Sequence, residues 1–194
     1  YGYIYMSLRR VLSVIEKVTS DQLVKTIVHS VNENQEKCKQ WLIENCNEYL
    51  KLLVNPKIVV LAGWYGNLAN RLLKYGNVTS IDIDSNCKMV GEKLYKDVSF
   101  DTKNIIDYNT KKYDVVACTS CEHLTQSEFD KVFNNIEKGT LVILQSNNYF
   151  EIKDHKNCFN TLQEFVDSVK FEKLLYKGHI DLPKYTRFMV IGVR

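Results

Sequence analysis

Two side chains suited to proton or metal chemistry stand together at the end of an apolar run. In "YDVVACTSCEHL", residues 113–124, Glu122 and His123 follow a stretch of valine, alanine and cysteine. A carboxylate beside an imidazole at the mouth of a site can take up or orient a proton, or ligate a metal ion. Further on, "LQSNNYF" groups Gln145, Asn147, Asn148 and Tyr149. Amides offer donors and acceptors and the ring offers a stacking face, so this run suits recognition of a planar acceptor. Upstream, "VVLAGWYGNLANRLLKYG", residues 59–76, reads as a buried strand, a turn holding Gly63 and Gly66, and a helix starting at Asn67. Gly63 is expected to allow a tight turn, and Gly66 to let backbone approach a ligand. About 20 residues on, the run "SIDIDSN" places Asp82 where a carboxylate accepts hydrogen bonds from the ribose of a nucleoside. Asp84 reads as the cap of the next helix.

These groups work together only if the fold gathers them. After Pro56 short β-branched runs alternate with helical stretches, the mark of βαβ units and a parallel sheet. Strands are expected at 57–62, 78–83, 97–100, 113–118 and 140–145, and helices at 67–75, 85–95, 126–136 and 160–168. A closing pair of strands at 171–179 and 186–193 must be antiparallel, because "DLPKYT" is too short for a crossover helix. The expected class is α/β, a Rossmann-like doubly wound sheet, mostly parallel with an antiparallel C-terminal hairpin. In such a sheet the ligand lies beyond the carboxyl ends of the strands, where the strand order reverses.

Residues 1–55 read as a helical extension packed on a domain spanning 56–194. Its apolar positions, Leu8, Val11, Leu12, Ile15, Val18, then Leu23, Val24, Ile27, Val28, Val31, then Trp41, Leu42, Leu50 and Leu53, recur mostly three or four apart from Met6 to Val54. Two or three amphipathic helices follow, with Ser20 and Asp21 capping one and "VNENQEK" restarting another.

The 194 residues, 45% hydrophobic and 25% charged, fit an ordinary globular chain, and no apolar run approaches a membrane span. The opening "YGYIYMSLRR" lacks the build of a signal peptide. A net charge of +3, with lysines scattered among carboxylates, shows no nucleic-acid footprint. The six cysteines are expected to be reduced and the chain cytoplasmic. Cys118 and Cys121 form a C-x-x-C, but no second pair follows at zinc spacing, so Cys118 is read as a buried strand residue.

Over about residues 57–193, the runs "VVLAGWYGNLA", "VTSIDIDSNCKMVG" and "NIIDYNTKKYDVVACTSCEHL" resemble class I S-adenosylmethionine-dependent methyltransferases. Of that family's G-x-G-x-G turn, "AGWYG" keeps the last glycine, with Ala62 and Trp64 at the other two places. The resemblance makes Asp82 the ribose-binding acid and Asp107 the acceptor of the adenine amino group. The cofactor contacts it implies are Ala62, Gly63, Trp64, Gly66, Asp82, Ile83, Asp107 and Thr119. S-adenosylmethionine carries no phosphate, so the glycine-only turn of a dinucleotide site is not required. Trp64 then either flanks the sulfonium with its ring face or packs on the N-terminal helices.

"TSCEHL" also resembles the Glu-His motif of ubiquinone-type O-methyltransferases and small-RNA 3′-end methyltransferases, where the pair helps to hold a divalent ion or the acceptor. The RNA enzymes carry another carboxylate three residues earlier, where this chain has Thr119, and an Asp-His pair that Asp154 and His155 would match. One ligand being absent, no metal is expected; were one held, the set would be Glu122, His123 and His155. "TSCEH", "LQSNNYF", "DHKNC" and "YTRFMVIG" together resemble small, often viral, methyltransferase-like proteins.

The resemblance implies methyl transfer to an N or O acceptor, with Glu122 and His123 catalytic and Gln145, Asn147, Asn148, Tyr149 and His155 at the acceptor. Small molecule, nucleic-acid end and protein side chain stay open as acceptors, and the oligomeric state is unassigned. The alternative is a catalytically degenerate cofactor-binding module whose N-terminal helices serve a partner. Hydride transfer from a dinucleotide is disfavoured, since "AGWYG" lacks the glycines a pyrophosphate needs.

Overall fold

Alternation along the strands sorts the apolar residues into two cores, one on each face of a single sheet. The computed structural model describes residues 10–18 and 20–194. Met6 and Leu8 of the expected first helix, and most of the opening "YGYIYMSLRR", lie outside the described residues. On β1 (Lys57–Leu61), Ile58 and Val60 face one core while Val59 and Leu61 face the other. That is the period of two expected of a strand buried on both sides.

Seven strands run in the order β3-β2-β1-β4-β5-β7-β6. β1, β2 (Asn77–Asp82), β3 (Ser99–Thr102), β4 (Val115–Cys118) and β5 (Leu141–Asn147) are parallel to one another. β7 (Thr186–Val193) enters antiparallel between β5 and β6 (Lys173–Asp181), so the closing pair extends the sheet as expected. The order reverses between β1 and β4, which places the crevice above their carboxyl ends. The weak strand expected at 97–100 sits two residues later, and the helix expected at 67–75 ends at Leu72 and passes through a turn to Asn77.

Helices α1 (Asp21–Ser30), α2 (Glu33–Leu50), α3 (Asn67–Leu72) and α4 (Ser85–Leu94) cover the first face, and a helical turn at residues 10–15 adds Val11 and Val14 to it. α5 (Gln126–Asn134) and α6 (Leu162–Asp167) cover the second through Phe129, Phe133 and Phe165. Side-chain caps set where helices begin: Ser20 accepts from the Leu23 N–H, Asn32 from Gln35 and Asp84 from Asn86. Ile27, Leu42 and Cys46 of α1 and α2 lie in the same core as the sheet residues Ile58 and Val115. No helix among the described residues is long and apolar enough to cross a membrane.

Candidate active site

The turn after β1 is bent by residues that are not glycine. Ala62 and Trp64 both have positive φ, +49° and +50°, and Gly66 follows at +86°. Two non-glycine residues in the left-handed region mark a strained turn, of the kind that persists only where surrounding bonds hold it. Three bonds do so: the Gly63 N–H donates to Ile81 O, the Gly66 N–H to Gly63 O, and the Trp64 N–H to Asp82 Oδ2 at 2.9 Å. Packing also requires both glycines. A side chain on Gly63 would collide with Ser80 Oγ, and one on Gly66 with the Phe100 ring.

Asp82, at the end of β2, thus holds the first loop as well as its own: its Oδ1 accepts from the Asp84 N–H. Each carboxylate oxygen has a second lone-pair direction, so both still have capacity for a ribose hydroxyl. Ile83 beside it exposes 71% of its surface, an apolar face open at the strand end. Asp107 lies farther out, at the end of a 3₁₀ turn over Ile105–Asp107, where Oδ1 pairs with Lys131 of α5 at 2.7 Å and 70% of the side chain is exposed. Asn104, which the sequence reading missed, is the cap of that turn and lies two residues beyond β3; its Oδ1 accepts from the Ile106 N–H. Its place directly after a strand was the legible signal.

The expected chemistry at the ends of β4 and β5 is gathered, but around a residue the sequence reading did not single out. Arg187, near the start of β7, donates from Nη1 to Glu122 Oε1 at 2.7 Å, from Nη2 to the Thr119 carbonyl and from Nε to Gln145 Oε1 at 3.3 Å. Burial is the largest single influence and works against the guanidinium charge, yet Glu122, Cys38 and Tyr185 together outweigh it and raise the Arg187 pKa above its ordinary value. A lone arginine opening the otherwise apolar "RFMVIGV" was its only trace in the sequence.

Glu122 is buried, with its backbone carbonyl accepting from the Lys156 and Asn157 N–H groups and its Oε2 without a hydrogen-bond partner among the described residues. Ligand atoms of Glu122, His123 and His155 all lie within 4.8 Å of one another. The two imidazole rings meet edge to face at 4.9 Å. His123 Nδ1 lies 3.3 Å from Asp154 O and His155 Nδ1 2.8 Å from Tyr149 O. A carbonyl can only accept, so each Nδ1 carries a proton, and in the neutral ring the lone pair is then on Nε2. Cys158 lies 3.7 Å from His155 Nδ1, but burial pushes its thiol up to about 11, so it adds no thiolate to this corner.

The amide-rich run is drawn into holding its own loop. Asn147 Oδ1 accepts from the Tyr149 N–H and the Cys158 thiol, Asn148 Oδ1 accepts from the Thr186 N–H, and Gln145 is bonded to Arg187 and Met189. Tyr149 does present a ring, stacked on Tyr185 at 5.2 Å and 10°.

The N-terminal helices close over the first turn. Tyr65 hydroxyl meets Thr26 Oγ1 at 2.7 Å, and Trp64 packs against the His29 ring at 5.8 Å. Trp64 therefore makes the helix contact, the second of its two expected uses. From α2, Glu36 pairs with Arg71 and accepts from Asn67 Nδ2, while Gln40 accepts from Arg71 Nη1, so the start of α2 is tied to α3 beside the glycine turn.

No protein-family model matches the sequence, and no curated protein matches it. Solved structures do match. The N-methyltransferase NodS from Bradyrhizobium japonicum WM9, in complex with S-adenosyl-L-homocysteine, is similar at a TM-score of 0.67 and 10% identity, covering 95% of this chain and 98% of that one. Magnesium protoporphyrin IX methyltransferase (ChlM) from Synechocystis PCC 6803, with bound S-adenosyl-L-homocysteine, gives 0.63 at 14% identity over 84% and 88%. A S-adenosylmethionine-dependent methyltransferase from Methanosarcina mazei gives 0.62 at 15% identity over 76% and 96%. With its strand order and antiparallel closing hairpin, this chain has the Rossmann-like fold of class I S-adenosylmethionine-dependent methyltransferases.

Proposed function

We propose that the protein binds S-adenosylmethionine and transfers its methyl group to an N or O acceptor. The observation that carries this reading is Asp82: a carboxylate at the end of β2 that also bonds the turn after β1, next to the point where the strand order reverses. The solved relatives in shape, NodS and ChlM, hold S-adenosyl-L-homocysteine, which supports the same cofactor here. Two buried oxygens without a partner among the described residues fit a bound polar ligand: Ser80 Oγ, which lies against Gly63, and Glu122 Oε2.

When bound, the cofactor supplies a methyl group on a sulfonium, a good leaving group, so the protein's task is chiefly placement in a dry pocket. Asp82 would anchor the ribose, with Ile83 against the adenine ring. Asn104 and Asp107 are the two acceptors for the adenine amino group on the β3 loop. Thr119, whose carbonyl is held by Arg187, shapes the wall between β1 and β4. His123, its Nδ1 proton directed at Asp154 O, offers Nε2 as the base that accepts the acceptor's proton. Glu122, fixed by Arg187, orients the acceptor through its free Oε2, and Tyr149 with His155 forms the aromatic wall beside it.

Calorimetry with S-adenosylmethionine and S-adenosylhomocysteine tests the reading. Binding that Asp82→Ala weakens at least tenfold is the expected result; absence of binding by the wild type would overturn it in favour of a structural or partner-binding module. Comparing Asn104→Ala with Asp107→Ala on adenosine affinity separates the two adenine acceptors. A divalent cation at Glu122, His123 and His155 is a second reading, favoured by the orphan oxygen and the two free Nε2 atoms and opposed by the Arg187 charge. Titration with Mn²⁺, with His155→Ala as control, tests it without reference to activity.

A further inference from the structure

Lys39 carries a charge that forms no ion pair among the described residues. Its side chain reaches from α2 into a small cavity lined by Ser30, Gly63, Trp64, Tyr65 and Asn67, at the turn after β1. There Nζ donates to Gln35 Oε1 at 2.9 Å and lies 3.5 Å from two carbonyls, Ser30 at the end of α1 and Gln35 on α2. Among the described residues the ion pairs are Arg71–Glu36, Lys88–Glu92, Lys131–Asp107 and Arg187–Glu122, and none includes Lys39. Glu36, the carboxylate nearest in sequence, is already committed to Arg71 and Asn67.

A cation withdrawn from water without a carboxylate is costly, and such groups gather where a ligand supplies the missing partner. Burial is the main cause of a Lys39 pKa lowered to about 8, helped by Arg187 and Arg71 and opposed by Glu36. An incoming anion would reverse that shift. The cavity borders the same turn whose Trp64 N–H is bonded to Asp82. Asp82 and this cavity thus border one turn, so a ligand with its ribose at Asp82 that ran along the turn past Gly63 would bring its opposite end to this ammonium.

Resting on the methyltransferase reading, we propose that Lys39 receives the carboxylate of the cofactor's amino-acid tail, and so lets the site distinguish the complete cofactor from its bare nucleoside. The N-terminal helices thereby supply a binding residue as well as a cover. Lys39 and Asp82 form the two ends of one binding groove, one reading the amino acid and the other the sugar.

The test compares S-adenosylhomocysteine with 5′-methylthioadenosine, which has the nucleoside and sulfur without the amino acid. Lys39→Gln is expected to weaken S-adenosylhomocysteine by roughly tenfold or more, the scale of a charge-assisted hydrogen bond. Affinity for 5′-methylthioadenosine stays within about twofold on the same argument, and Lys39→Arg restores most of the lost affinity. Thermal unfolding accompanies each titration, and Lys39→Met is a second variant should Lys39→Gln fold poorly. A purely structural lysine would lower both affinities alike, and an idle one neither; either result overturns the assignment while leaving the methyltransferase reading intact. A wild type that binds neither compound overturns both.

Discussion

Arg187 and Glu122, 65 positions apart in the chain, meet at 2.7 Å in the interior and join β7 to the loop after β4. The same guanidinium reaches the Thr119 carbonyl and Gln145, so one side chain holds together the strand ends where the site's chemistry is gathered.

Arg187→Met should therefore cost on the order of 3–5 kcal/mol, because it leaves a buried carboxylate without its counter-charge. Replacing both partners, as Arg187→Met with Glu122→Leu, should recover much of that loss. Urea unfolding of the double-mutant cycle measures the coupling; strictly additive costs would show that the two charges do not depend on each other.

Phe100 is seated against two glycines, Gly66 and Gly91, either of which would drive a β-carbon into its ring. Both alanine variants should lose about 1–3 kcal/mol by overpacking. Phe100→Leu should rescue Gly91→Ala substantially. It should rescue Gly66→Ala much less, because φ of +86° disfavours alanine whatever the space. Equal rescue of the two would sink the distinction.

Trp64 has φ of +50° and packs on His29 and Tyr65. Trp64→Ala and Trp64→Gly lose the same ring contacts, but only glycine relieves the backbone. Thermal denaturation should place the glycine variant above the alanine variant by about 1 kcal/mol, the cost of a left-handed L-residue. The reverse order would mean that the turn is unstrained.

Lys39 should make stability depend on pH in the alkaline range. Facing it are Gln35 and the Ser30 carbonyl, Glu36 and Cys38 of α2, Arg71 of α3 and Arg187 of β7. Its pKa near 8 in the folded state lies below the ordinary lysine value of about 10.4, so from pH 8 upward the unfolded chain binds the extra proton. The wild type then gains stability as pH rises through that window, and below it the buried charge costs its full amount. Lys39→Met should unfold at a higher temperature than wild type at pH 7, with the gap narrowing toward pH 10. A gap independent of pH would show that the ammonium is well solvated.

Much of the fold is legible in short-range pattern. Period-two apolar runs specify β1, β2, β4 and β5, the short "DLPKYT" link requires an antiparallel end to the sheet, and Ser20, Asn32 and Asp84 cap helices because their side chains bond N–H groups two or three residues ahead. The place of Asp82 was legible for the same reason: a strand end and a glycine turn are local features, and the sheet brings them together without further help. The surroundings of Asp107 show the limit. Its spacing is right for the loop, yet the charge nearest its carboxylate is Lys131, 24 positions away.

What the sequence determined by itself is the order of strands and helices and the types of side chain at the strand ends, because backbone periodicity and turn chemistry act over a few residues. The tertiary structure decided which of those side chains are free. Gln145, Asn147 and Asn148 looked equally available in sequence and are occupied with Arg187, Tyr149 and Thr186. Lys39 carried no signature, and Arg187 only its place at the head of an apolar run, because their importance lies in burial and in the presence or absence of an opposite charge. Both are set by distant segments packing together, which no local pattern encodes.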